Sequence, residues 1–368
     1  MRPPAANYRP GMTWTGPKEA VFPPALVPFA TRVEHRIDDL LSAEHARWSA
    51  VDAHLAEPIE ALRDFVTTGG KRLRPAFCYC AFVGAEGDSD DPRVVDAAAA
   101  LELVHTFALA HDDVMDGSAM RRGEPSVHTR FARRHERASW RGEARRFGEG
   151  MAILVGDFAF TYADVLTRGL GEAVNAVFDE LRVELCVGQS LDLAGTATAS
   201  TDPVLADRIA VYKSGKYTVE RPLHLGAALA NRLGELGPSL SAIGLPLGHA
   251  FQLRDDVLGA FGDAEVTGKP VGDDLREGKP TPLVALASAR ATGADRAALE
   301  QLGDPGLGAA AVQAIQEVFV RTGALEQVEA DIARLVGEAR DALATAALND
   351  TARGWLDKLA GYVAWRDR

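Results

Sequence analysis

The chain has 368 residues, 47% of them hydrophobic and 25% charged, with a net charge of −12. This is the composition of a globular protein able to build a sizeable core. The acidic balance excludes a general nucleic-acid binder, which needs basic faces to displace counterions.

Residues 1–28 carry Pro3, Pro4, Pro10, Pro17, Pro23, Pro24 and Pro28, a density that argues against a helix and predicts an extended or disordered lead-in. The apolar stretch AVFPPALVPFA is broken by three of these prolines and does not read as a secretory signal. From Phe29 onward, apolar residues recur at spacings of three and four. They predict helices over 31–56, 57–68, 72–84, 93–117, 149–168, 171–195, 203–213, 216–234, 239–260, 281–292, 309–322 and 324–347. Gly69-Gly70, Gly84–Pro92, Asp202-Pro203, Gly237-Pro238 and Gly303–Gly308 punctuate them. No alternating β-branched run predicts a strand, so the fold class is all-α, with residues 29–368 as one domain. Gly123–Phe147, with Arg130, Arg133, Arg134, Arg137, Arg141, Arg145 and Arg146, is expected to be a solvated loop, and Gly262–Pro282 a second loop. Cys78, Cys80 and Cys186 form neither a disulfide framework nor a zinc pattern and fit a reducing cytoplasm. No uninterrupted apolar run approaches the ~18 residues of a membrane helix, so no membrane span is expected.

The chemistry concentrates in Val94–Arg122, where an alanine-rich helix ends in Asp112, Asp113 and Asp116, followed by Arg121 and Arg122. Asp112 and Asp116, four apart, project from one helical face about 6 Å apart along the axis. Two carboxylates so placed repel unless a cation sits between them, and hard oxygen ligands suit magnesium shared with phosphate. The arginines supply forks that match phosphate oxygens. In FQLRDDVLGAFGD a second apolar helix ends in Asp255 and Asp256, with Gln252 one turn earlier. Either acidic pair alone is also what an ordinary solvated helix end looks like. Two of them, with Lys71 and Arg74 in GGKRLRP, Lys213 and Lys216 in YKSGKYT and Lys269 in TGKP, match the needs of a metal-bridged diphosphate.

GGKRLRP, HTFALAHDDVMDGSAMRRGEPSVH, GQSLDL, KSGKYT, FQLRDDVLG and GKPVGDDLREGKPTPL occur in the order found in trans-isoprenyl diphosphate synthases, and from Ile59 to Leu283 the chain resembles that family. The resemblance implies the isoprenoid synthase fold, a single bundle of antiparallel helices around a central cavity. It implies isopentenyl diphosphate and an allylic diphosphate as substrates, a homodimer, and three magnesium ions bridging the allylic diphosphate. Asp112 and Asp116 are then ligands of the first motif, Asp113 supports them from behind, and Asp255 is the ligand of the second. Lys71, Arg74, His105 and Arg122 form the isopentenyl site, while Arg121, Lys213 and Lys269 clamp the allylic diphosphate. Ser214 and Gln252 turn oxygens toward the developing cation. The chain departs from the family where a third aspartate is common in the second motif, because that position is Gly259.

The prenyl chain is expected to run along the first-motif helix, with about one helical turn, ~5.4 Å, per isoprene unit. Ala108, one turn before Asp112, leaves the cavity open, and Phe107 is the expected floor of a deeper level. An aromatic residue five before the first aspartate, with a small one four before, resembles the pattern of the C20 synthases, which implies geranylgeranyl diphosphate. Farnesyl diphosphate or a longer chain are the alternatives. A class I terpene cyclase would not require GGKRLRP or the doubled arginine, and a non-catalytic subunit would not require an intact first motif. The segment WLDKLAGYVAWRDR is expected either to fray or to fold over the isopentenyl site.

Overall fold

The computed structural model describes residues 21–262 and 272–366. A single 3₁₀ turn, Pro24–Leu26, leads into α1 (Val27–Ser49), so helix begins two residues earlier than the prolines suggest. Pro28 lies in the first turn of α1, where a missing N–H costs nothing. The predicted 31–56 helix divides at Asp52, whose side chain caps α2 (Ala53–Thr67) by accepting from His54 N. There follow α3 (Leu73–Gly84) and α4 (Pro92–Met115), the latter started by Asp91 as N-cap and Pro92.

After α4 comes the one pair of strands among the described residues, β1 (Met120–Arg121) and β2 (Glu124–Pro125), paired antiparallel with Arg121 opposite Glu124. The two residues between them, Arg122 and Gly123, both have positive φ (53° and 80°), the signature of a tight hairpin turn. The arginine-rich stretch expected to be a loop contains α5 (Val127–Arg137). Its apolar positions are only Val127 and Phe131 on the buried side, together with His135, too sparse for periodicity to declare it. α6 (Ala144–Thr167), α7 (Glu172–Ala197) and α8 (Pro203–Ile209) follow. α8 passes without a break into a π-helical segment, Ala210–Glu220, then α9 (Arg221–Leu229) and α10 (Leu233–Phe261). The second expected loop includes a short helix, α11 (Asp273–Glu277). Beyond it lie α12 (Pro282–Arg290), α13 (Ala294–Leu299), α14 (Ala309–Arg321), α15 (Ala324–Thr345) and α16 (Asp350–Trp365). The fold is all-α, as expected.

α4 is the central element. Val94, Ala97, Ala98, Ala99, Ala100, Leu101, Leu103 and Val104 are buried around its whole circumference, which only a helix with neighbours on every side permits. It packs against α6, α3 and α1, and its alanines keep those approaches short. α4 and α6 are long and apolar enough to cross a membrane by length and composition, but the most apolar window of α4 is 67% buried inside the fold.

Two contacts bring the other motifs to the end of α4. A Cβ on Gly188 of α7 would lie 2.2 Å from the backbone N of Lys213, so glycine is what lets the π-helical segment seat Lys213 against α7. Arg254, fully buried on α10, makes a two-pronged ion pair with Glu329 of α15 (2.8 and 2.7 Å) and donates to Ala364 O of α16 at 2.7 Å. This anchors the second acidic cluster to the helices behind it. Glu329→Gln leaves the Arg254 charge undercompensated in the core, and a loss of about 3 kcal/mol is expected from the urea denaturation midpoint.

Candidate active site

The carboxylates of Asp112 and Asp116, on the end of α4, and Asp192, on α7, present oxygens within 4.8 Å of one another. Asp112 and Asp116 were expected here. Asp192 lies in the GQSLDL motif, and its position three residues after Gln189 on one helix was the available signal. Gln189 Nε2 donates to Asp112 Oδ1 at 3.0 Å.

Each carboxylate is met by a protein cation. Lys213 Nζ donates to Asp112 Oδ1 at 3.0 Å and also to Asp192. Lys279 Nζ stands 3.0 Å from Asp116 Oδ2 and 2.6 Å from Glu277 Oε2. Arg121, turned inward by the hairpin, donates to the fully buried Asp113 and reaches 3.5 Å from Asp112. Asp113 therefore pairs with Arg121. Burial raises the proton affinity of Asp112, but Lys213, Lys279 and Arg121 outweigh it and hold this carboxyl well below the usual range. Burial opposes the charge on Lys279, yet Asp274, Asp116, Asp112 and Glu277 together raise its pKa well above that of a free lysine. Together these ion pairs form a compact lattice of acidic and basic side chains.

The donor set fits magnesium. It consists of oxygen alone, the donor type magnesium takes, with the three carboxylates brought to within 4.8 Å of one another.

The opposite wall is α10. Asp255 and Asp256 both line the cavity, as do Ser214 and Gln252. Burial raises the pKa of Asp256 well above normal, with Asp274, Asp255 and Asp192 adding to it, although the 2.7 Å hydrogen bond from Gln252 Nε2 works the other way. Burial thus favours the neutral form of Asp256, next to Asp255 on the cavity wall. The departure at Gly259 has a geometric counterpart. A Cβ there would lie 1.8 Å from Asp274 Oδ2, so the carboxylate of α11 fills the space a side chain at 259 would take.

The third wall comes from GGKRLRP and His105. Arg74 Nη2 donates to Tyr217 Oη at 2.6 Å and Thr218 Oγ1 at 2.8 Å, and its guanidinium stacks 4.2 Å from the Tyr217 ring centroid. His105 Nδ1 lies 3.2 Å from the same hydroxyl. Burial, followed by the charges of Arg74, Arg122, Arg121 and Arg72, drives the pKa of His105 well below normal. A neutral imidazole ringed by guanidiniums is a pocket prepared for an anion. Arg122 is held by Thr68 O and Gly69 O, just behind this wall, and Lys71 is half-buried in the loop before α3. Arg72 turns away to the buried Glu102 and to Glu34. Lys216 also points away, to Glu184 of α7. Lys269 lies outside the described residues, and within them Lys279 supplies the cation from that stretch.

The walls enclose a cavity of ≈ 410 Å³ that continues past Ala108 and Leu109 of α4 to Leu185 and Ile209. Phe107, the expected floor, is not among the lining residues; it packs edge-on to His111 and 4.8 Å from the Phe160 ring of α6.

The polyprenyl synthetase family model matches residues 56–320, and the chain belongs to that family; it is a trans-isoprenyl diphosphate synthase. A short chain isoprenyl diphosphate synthase of Methanothermobacter thermautotrophicus is 34% identical, over 89% of this chain and 96% of that one. A geranylfarnesyl diphosphate synthase of Aeropyrum pernix is 31% identical, over 91% and 99%. Among solved structures, a geranylgeranyl pyrophosphate synthase from Corynebacterium glutamicum, complexed with isoprenyl diphosphate and magnesium, superposes with a TM-score of 0.88 at 35% identity, covering 92% of this chain and 99% of that one.

Asp274→Ala is expected to raise the magnesium concentration for half-maximal turnover about 10- to 100-fold, in the range of groups that orient metal ligands. Titration of initial rate against magnesium checks it. A second outcome follows from His105. Its folded pKa is depressed, so below about pH 6.5 the unfolded chain takes up a proton the folded one refuses, and stability falls with falling pH. In His105→Gln the decline between pH 6.5 and 5.5 should be shallower, by up to about 1.4 kcal/mol per pH unit, when urea midpoints are compared.

Proposed function

We propose that the protein condenses isopentenyl diphosphate with an allylic diphosphate and releases geranylgeranyl diphosphate as its main product. The observation that carries this reading is one cavity lined by two separate clusters of polar and charged groups and by apolar side chains. Asp112, Asp116 and Asp192 with Lys213 and Lys279 form one site. Arg74 and His105 line the other, with Arg122 held behind them by Thr68 O and Gly69 O.

Asp112, Asp116 and Asp255 would hold the magnesium ions, three of them with the allylic diphosphate present. Bound there, magnesium supplies charge neutralisation to the leaving diphosphate. The residues of the chain do the rest. Lys213 and Arg121 exchange carboxylate partners for diphosphate oxygens as the allylic C1–O bond breaks and its electron pair leaves with the diphosphate. Arg74, Arg122 and Lys71 hold isopentenyl diphosphate so that its double bond faces C1, and the apolar side chains below exclude water from the cation. The new C–C bond forms, and the departing diphosphate accepts the proton whose loss restores the alkene. Ser214 and Gln252 on the cavity wall offer oxygens to the positive charge.

The C20 reading is supported by Ala108 and Leu109, which line the cavity; Phe107 is not among the lining residues and packs against His111 and Phe160. Family membership also supports a cytoplasmic homodimer with no membrane span. Ile153 and Leu154 on α6 and Val183 and Val187 on α7 are 44–58% exposed, an apolar area a second copy would cover.

An assay of each allylic diphosphate with labelled isopentenyl diphosphate, reading product length, tests the whole proposal. Consumption of the allylic substrate alone would reveal a cyclase instead. Ala108→Phe is expected to shift the main product to C15 or shorter. Phe107→Ala should lengthen it by at least one unit, and an unchanged product would remove Phe107 as a determinant.

A further inference from the structure

Asp255, the expected ligand of the second motif, is already engaged by a cation of the protein itself. Arg366, the residue after α16, donates from Nη2 to Asp255 Oδ1. Its side chain is 4% exposed and that of Asp255 43%, so the cation is the fixed partner and the carboxylate the accessible one. Arg366 is also held independently of Asp255. Nη1 donates to Val363 O at 2.8 Å, Nη2 to Phe251 O at 3.2 Å, and the guanidinium lies 4.0 Å from the Phe251 ring centroid. The backbone before it is tied down as well, since Ala364 O accepts from the buried Arg254. The stretch expected to fray or to cover the isopentenyl site is instead a helix that delivers one guanidinium to the opposite acidic wall.

This pairing differs in kind from those of Asp112 and Asp116. Lys213 and Lys279 line the cavity on flexible stems and can turn to a diphosphate when it arrives. Arg366 is not among the lining residues; it sits behind Asp255, walled by two carbonyls and an aromatic face. Seated there, it cannot become a substrate clamp. It neutralises the charge a metal would use, and it repels a divalent ion placed on the same carboxylate.

We propose that Arg366 is a built-in competitor for the cation at Asp255, so that a metal loads the second motif only as the Arg366–Asp255 pair opens. This rests on Asp255 being a metal ligand, as proposed above. It makes the metal at Asp255 the last and weakest to bind, and it couples that step to movement at the end of α16.

The test measures Mn²⁺ uptake by electron paramagnetic resonance of the free ion, with inorganic diphosphate present, for the full chain and for Arg366→Gln, Arg366→Met and Arg366→Lys. Circular dichroism establishes which variants are folded. Removing the charge should tighten the weakest Mn²⁺ about 10-fold in Arg366→Gln or Arg366→Met, while Arg366→Lys stays near the parent. In an Asp255→Asn background the gain should vanish. Uptake in the neutral variants no tighter than in the parent, or weaker, overturns the proposal and makes Arg366 an orienting partner of Asp255. Absence of diphosphate-dependent uptake in the parent chain would overturn the metal reading itself, a result distinguishable from the first.

Discussion

Like charges held close together are the constraint on which this molecule depends. Asp112, Asp116 and Asp192 converge within 4.8 Å, and the fold tolerates that only because Lys213, Lys279 and Arg121 are brought to the same place. Burial alone would push a proton onto Asp112; the cations around it outweigh that and hold its pKa below the usual range. The same lattice is a resting form of the site. Lys213 and Lys279, which here meet carboxylates, are compact cations on flexible stems that can equally meet phosphate oxygens.

That balance explains several architectural choices. α4 is buried on all sides, which fixes the first acidic cluster rigidly at one end of the bundle. Gly188 lets the π-helical segment approach α7 closely enough for Lys213 to reach both Asp112 and Asp192. The Arg254–Glu329 pair gives α10 a fixed attachment next to Asp255 and Asp256. In each case a tight contact outside the cavity sets where a charge stands inside it. The second wall is arranged differently: burial raises the pKa of Asp256, Asp255 is paired with Arg366, and Asp274 occupies the room left by Gly259. Two clusters that look alike in sequence thus sit in unlike electrostatic surroundings.

What could be read without coordinates was the local part. Asp112 and Asp116 share a face because a helix repeats every 3.6 residues, and that periodicity is written in the apolar residues before them. The all-α class followed in the same way, as did the order of motifs that marks the family and the openness at Ala108. α5 escaped because its arginines mask a stripe of only two apolar residues and a histidine.

The tertiary structure alone decided which distant groups complete the site. Gln189 and Lys213 reach Asp112 across 77 and 101 residues of chain, and Arg366 reaches Asp255 across 111. No local period records such pairings, because they are set by how helices pack, and packing depends on side chains far from either partner. The spacing of DDVMD and RDD determined that carboxylates would be presented. Only the packed bundle determined which cations meet them, and that Gly259 is matched by a carboxylate from another helix.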